Sequence, residues 1–127
     1  MAKGITNTSR TLRYIREQGW DAEKVEFWNP YSKTRKDLFG IIDIVALTEH
    51  RIMGIQSTGQ AFAEHDRKIL ESEMAPKWLE KGGALMLIGW TKKKRKLDKG
   101  WSKAMYWNPR IKYYTLDDFT NEGEGKE

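Results

Sequence analysis

Residues 41–58 read IIDIVALTEHRIMGIQST, two apolar runs separated by the polar break TEHR. Short runs rich in Ile and Val, joined by so brief a break, specify two antiparallel strands. If TEHR closes a tight turn with Thr48 opposite Arg51, then Leu47 faces Ile52, Ile44 faces Ile55, Asp43 faces Gln56 and Thr58 faces Ile41. Side chains alternate along a strand, so Asp43, Gln56 and Thr58 then project from one side of the sheet, with the Cβ atoms of the first two about 4.5–5.5 Å apart. A turn one residue longer would send Gln56 to the opposite side. Burying a carboxylate without a partner is costly, so Asp43 requires one: a hydrogen-bonding neighbour such as Gln56, or a bound cation.

The rest of the chain frames this hairpin. A length of 127 residues supports one core and is too short for two comfortable ones; we read residues 1–120 as a single domain and 121–127, which carry no apolar side chain, as a disordered tail. From an N-cap at Asn7 or Thr8, SRTLRYIREQ forms a helix with Leu12 and Ile15 on its packed face, ended by Gly19. VEFWNP reads as a strand, YSKTRKD as a loop, and FGIIDIVAL and IMGIQST as strands. Residues 63–81 are helical, with Pro76 either kinking the helix or starting a second piece, and Gly82-Gly83 ending it. ALMLIGW is a buried strand, KKKRKLDKG a basic hairpin loop, WSKAMYWN its partner, IKYYT an edge strand and LDDF one helical turn. No internal repeat occurs.

The absence of cysteine excludes disulfides, zinc ribbons and thiolate catalysis. No segment approaches the roughly 18–20 apolar residues that span a bilayer, and MAKGITNTSR lacks the apolar run of a secretory signal, so the expectation is a soluble cytoplasmic protein without a membrane partner. The 23 Lys and Arg against 18 Asp and Glu, a formal charge of +5, tilt the partner towards a polyanion. Arg10, Arg13 and Arg16 step along the first helix as a basic stripe, either a solvated face or a phosphate contact. Lys92, Lys93, Lys94, Arg95 and Lys96 are five consecutive cations beside Trp90 and Trp101; they suit a phosphate backbone, a merely solvated run or an import signal. Trp20, Trp28, Trp78, Trp90, Trp101 and Trp107 read as core or rim packing, with stacking on unpaired bases open to one or two of them.

This layout resembles the PD-(D/E)XK nuclease fold shared by restriction endonucleases, archaeal Holliday-junction resolvases and VRR-NUC domains. FGIIDIVAL is similar to the resolvase strand that carries the family's Asp, here Asp43. IMGIQST is similar to the following strand, with Gln56 at the acidic position and Thr58 at the lysine position. DRKIL and GGALMLIGW look like segments of phage-associated proteins of this type, and the resemblance spans residues 8–107. It implies an α/β, restriction-endonuclease-like three-layer domain whose central mixed sheet is flanked by helices in the order αβββαββ. It also implies a Mg²⁺ or Mn²⁺ ion on Asp43 and Gln56, catalytic roles for Asp43, Gln56, Thr58 and Lys68, and hydrolysis of phosphodiester bonds in structured, including branched, DNA. DNA contacts would come from Arg10, Arg13, Arg67 and the run Lys92 to Lys96. Symmetric cutting of a junction needs two sites, hence a homodimer, in a prokaryotic or phage-infected cell.

The chain departs from the family pattern at named positions. Gln56 offers one neutral oxygen in place of a carboxylate, and Thr58 supplies no cation. The Glu of the resolvases' first helix has no counterpart: Thr8 stands there, and Glu17 lies at the far end. Arg67 and Lys68 are the candidate substitute cations, although a packed face of Phe62, Ala63, Ile69 and Leu70 turns Lys68 away from the core. Asp37 and Glu26 are candidate extra ligands, and His65 reads as a surface histidine. Beside the hydrolase stand two other readings: a nuclease-like fold without catalysis that serves as a DNA-binding or phage accessory module, and a purely structural or protein-interaction domain.

Overall fold

The computed structural model describes residues 5–119, so the tail expected over 121–127 lies outside the described residues. In chain order the elements are α1 (Asn7–Glu17), β1 (Asp21–Lys24), β2 (Phe27–Asn29), β3 (Thr34–Lys36), β4 (Ile44–Leu47), β5 (Ile52–Thr58), α2 (Phe62–Glu71), α3 (Met74–Glu80), β6 (Ala84–Lys96) and β7 (Trp101–Tyr114). Residues 117–119 add one helical turn. Five strands make one mixed sheet in the order β1-β4-β5-β6-β7, while β2 and β3 form a separate two-stranded ribbon. Only the β5–β6 neighbours run parallel; a parallel pair needs a crossover, and α2 and α3 supply it.

Alternation along the strands builds two cores. Ile44, Ile55, Met86 and Ile88 face one side and pack with Ile15 of α1. Leu85 and Leu87 face the other and pack with Phe62, Ile69, Ala75 and Leu79 of α2 and α3. On the α1 side, buried Thr11 accepts from Trp90 Nε1 at 2.8 Å and lies 2.9 Å from Ser57 Oγ, which pins the helix to β5 and β6. On the other side, Asp66 of α2 accepts from Tyr114 Oη at 2.6 Å and Lys112 Nζ at 2.9 Å and so ties down the edge strand β7. Burial opposes the Asp66 charge, but these hydrogen bonds and the positive charges of Lys112 and Arg110 hold its carboxyl below the usual range.

The central hairpin has the register its turn dictates. Thr48 N donates to Arg51 O at 2.9 Å, Leu47 pairs with Ile52 and Ile44 with Ile55. Glu49 and His50 are the loop residues. Pro76 sits in the first turn of α3, where its missing N–H costs nothing, and so begins a second helix instead of kinking one.

Four local expectations are corrected. The N-cap is Thr6, whose extended backbone lets its Oγ1 accept from Ser9 N at 3.1 Å; Asn7 and Thr8 are already helical. VEFWNP is not one strand: β1 precedes it, Phe27–Asn29 turns away as β2, and the expected loop YSKTRKD supplies its partner β3. FGIIDIVAL is strand only from Ile44, because Phe39 (φ 56°) and Gly40 (φ 78°) adopt left-handed backbone and fold the chain back on itself, with Ile42 N donating to Leu38 O at 3.0 Å. The basic run is not a loop. Lys92 to Lys96 extend β6 beside β7, where Lys92 lies opposite Trp107, Lys93 opposite Tyr106 and Lys96 opposite Trp101. Cross-strand stacking of cation on ring, with Lys92 5.2 Å from Trp107, Arg95 4.6 Å from Tyr106 and Lys96 5.6 Å from Trp101, offsets the repulsion among like charges. Among the described residues no helix is long and apolar enough to cross a membrane.

Candidate metal centre

Asp43 stands at the mouth of β4, where the longer β5 outruns it. Its N–H donates to Ile55 O and its carbonyl accepts from Val25 N, both at 2.8 Å, so the backbone is held from two sides. The side chain turns to β5. Oδ2 accepts from Gln56 Nε2 at 2.8 Å and from Ser57 N at 2.9 Å, giving that backbone N–H a partner where β4 no longer runs alongside.

Two more carboxylates join it. Glu26 precedes β2 and Asp37 follows β3, so the ribbon's antiparallel pairing, Phe27 opposite Lys36, brings its two feet together. One oxygen from each of Glu26, Asp37 and Asp43 lies within 4.8 Å of the others. The Gln56 amide also donates to Asp37 at 3.2 Å. Two cations approach from the rim: Lys68 Nζ lies 3.8 Å from Asp37 Oδ2, and Arg35 Nη1 3.4 Å from Glu26 Oε2. Three carboxyl groups thus meet two cations and one amide.

This crowding decides the protonation of Asp43. Burial, then the hydrogen bond and negative charge of Asp37, push its carboxyl up to about 7, against the Ser57 N–H and the Gln56 amide, which favour the charged form. Asp43 therefore carries its proton into the neutral range when no cation neutralises the site. Oxygens from three carboxylates are the donor set of a hard divalent cation, and these three residues can hold one. The amide fits the same role. Gln56 presents its nitrogen to the carboxylates, leaving Oε1 buried without a partner among the described residues. An orphaned carbonyl costs about 1–3 kcal/mol, and a half-turn of the amide would hand that oxygen to a cation.

The other sequence candidates fall elsewhere. Thr58 is buried on the same side of β5, but its Oγ1 lies 3.2 Å from His65 Nδ1, in the seam between sheet and α2. His65, expected at the surface, is half-buried, its Nδ1 2.9 Å from Ala61 O. Lys68, expected to turn away, reaches the carboxylates because the ribbon's foot at Asp37 comes to it. Arg67 is exposed on α2. The α1 stripe is largely committed to the fold: the Arg10 guanidinium stacks 3.7 Å from the Trp107 ring centre and bonds Asn7 Oδ1 at 2.9 Å, and Arg16 donates to Ala22 O at 2.8 Å, which leaves Arg13 exposed.

No protein-family model, curated protein or solved structure matches the chain. The candidate ligand pair Glu26 and Asp37 is the part that strand periodicity underweights. Its one local signal is that both carboxylates flank a segment, FWNPYSKTRK, whose Asn-Pro turn folds it in half.

Proposed function

We propose that the chain is a metal-dependent endonuclease of the PD-(D/E)XK type, hydrolysing phosphodiester bonds of structured DNA. The observation that supports it is the convergence of Glu26, Asp37 and Asp43 within 4.8 Å of one another, beside the Gln56 amide and at the end of a mixed sheet. Mg²⁺ or Mn²⁺ held by these carboxylates would supply a lowered water pKa and stabilise charge on the leaving oxygen. Asp43 is the central ligand, fixed by its backbone bonds, and Gln56 is the neutral ligand at the acidic position. Lys68, which reaches Asp37 from α2, takes over the cationic role that Thr58 cannot fill, placing positive charge at the rim where a phosphate enters. In the reaction a water oxygen bonds to phosphorus, one P–O ester bond breaks, and the departing oxygen ends as a hydroxyl. The β6–β7 arm, with Lys92 to Lys96, follows the backbone of the same DNA. Two copies would serve a symmetric junction.

Incubating branched and linear DNA with wild-type protein and Asp43→Asn, with Mg²⁺ or with EDTA, tests this. Cleavage by the wild type in Mg²⁺ alone is expected; equal product from wild type and variant removes Asp43 from the chemistry. A second reading, a DNA-binding module without catalysis, draws on the engagement of Thr58 by His65 at the lysine position. It requires salt-sensitive DNA affinity indifferent to divalent cation.

A further inference from the structure

The ribbon that carries two of the three carboxylates has an unexplained surface. Between Phe27 and Lys36 it holds three aromatics and three cations, and no acidic residue. Phe27 is 61%, Trp28 53% and Tyr31 96% exposed, a poor use of large rings in a segment that needs only to return the chain. Alternation sorts these side chains. Trp28 lies directly opposite Arg35; Glu26 is two residues before Trp28, and Asp37 two residues after Arg35. All four therefore project from one face of the ribbon, and the Arg35–Glu26 ion pair at 3.4 Å has the diagonal geometry this face requires. Phe27, Asn29, Thr34 and Lys36 occupy the other face. One step outward from the carboxylates, about 7 Å along the strand, stand an exposed indole and an exposed guanidinium side by side.

From this juxtaposition we propose that Trp28 and Arg35 bind the nucleotide flanking the phosphate at the carboxylates, and that this nucleotide is unpaired: Trp28 stacks on its base and Arg35 holds its phosphate. This deepens the endonuclease reading and rests on it for the position of the phosphate. Indole faces bind bases of any sequence, but a base inside a duplex is already stacked on both sides and has no face to offer. The pair therefore selects for single-stranded or flipped nucleotides, whereas the β6–β7 arm, a row of cations, attracts any backbone. An acidic protein partner would satisfy Arg35 and leave Trp28 without purpose. Of the ribbon's cations only Arg35 has an ion-pair partner among the described residues, Glu26, and the remaining positive charge matches a polyanion that also carries rings.

The experiment is a fluorescence-anisotropy titration at low salt in EDTA, so that no strand is cut, using a labelled 12-residue oligothymidylate and a labelled blunt 12-base-pair duplex. Trp28→Ala should weaken oligothymidylate binding by about 5- to 100-fold and leave duplex binding within twofold, and Trp28→Phe should restore most of the loss. Arg35→Ala should weaken oligothymidylate binding as well. Because Trp28 is exposed, its variants should melt with the wild type, which a circular-dichroism melt checks. Unchanged oligothymidylate affinity in Trp28→Ala, an equal loss on the duplex, or no oligothymidylate binding by the wild type overturns the proposal. A chain that binds in this pattern yet cuts nothing in Mg²⁺ loses the endonuclease reading and the position of the phosphate, and keeps Trp28 and Arg35 as a binding pair for unpaired nucleotides.

Discussion

The side-chain amide of Gln56 lies 2.8 Å from the Asp43 carboxylate and donates to it across the β4–β5 pair, while the same nitrogen reaches Asp37 at 3.2 Å. One amide thus supplies both of its hydrogens to two carboxylates that repel each other. Replacing it by Gln56→Glu removes both donors and adds a further negative charge. Urea denaturation in EDTA should show a loss of about 1–3 kcal/mol, and Mn²⁺ should raise the melting temperature of the variant more than that of the wild type. An equal rise in both proteins would exclude residue 56 from the cation site.

Asp43 makes the cation-free protein unusual in its response to acid. Its folded carboxyl, pushed up to about 7 by burial and by Asp37, sits above the unfolded value near 3.9. The stabilisation linked to this proton is complete below the unfolded value and lost as pH rises through 7. In EDTA, wild type should therefore gain about 1–3 kcal/mol on going from pH 8 to pH 5 relative to Asp43→Asn, which carries no titrating group there. Asp66 works in the opposite sense, since its depressed carboxyl loses stabilisation as pH falls, but only below this window. Parallel stability curves for the two proteins between pH 5 and pH 8 would contradict the assignment.

Lys68 provides a sharper test of chemistry than of stability. Its ammonium is 3.8 Å from Asp37 and its side chain 44% exposed, so Lys68→Ala should change folding free energy by less than about 1 kcal/mol. Under single-turnover conditions with Mg²⁺ it should slow strand cleavage by about 100-fold or more, with Lys68→Arg recovering part of the rate. A variant as fast as wild type would leave Lys68 as an ordinary surface ion pair.

Gly54 marks how closely the sheet packs against the chain that leads into Asp43. A Cβ there would come within 2.5 Å of Ile42 Cδ1 and 3.3 Å of the Trp78 ring. Gly54→Ala should cost about 1–3 kcal/mol by overpacking, read as a shift in the urea midpoint at unchanged slope. Because Ile42 adjoins Asp43, the variant should also bind Mn²⁺ more weakly. Wild-type stability would mean that the Ile42 side chain can swing aside.

The arm formed by β6 and β7 should act through charge alone. Replacing Lys93 and Lys94 together by Ala should lower the slope of log affinity against log salt for duplex DNA by about 0.9 for each phosphate contact removed. The arm's aromatic partners remain, so far-ultraviolet circular dichroism should be unchanged. A slope equal to wild type would place the DNA elsewhere.

Much of the frame was legible in the residues themselves, because it is local. A four-residue polar break between two apolar runs admits few registers, and the one with Thr48 opposite Arg51 sets Gln56 beside Asp43. Gly82-Gly83 after an amphipathic stretch marks the end of α3 for reasons confined to a single turn of helix, whereas Pro76 by itself allows either a kink or a new helix, and the break after α2 decides for the new helix. The basic run misleads for an equally physical reason. Consecutive lysines suggest a solvated loop, and only the rings they meet across the β6–β7 pair, Trp107 and Tyr106, make a strand of them.

What the sequence determined by itself was the strand pairing around Asp43, since side-chain alternation and a tight turn act within a dozen residues. What only the tertiary structure decided was the company that carboxylate keeps. Glu26 and Asp37 reach it because a polar ribbon folds in half and the chain reverses through left-handed backbone at Phe39 and Gly40, and Lys68 reaches it because α2 crosses back over the same face. No periodicity encodes such meetings: they arise from where separate elements pack, and packing is a property of the whole chain.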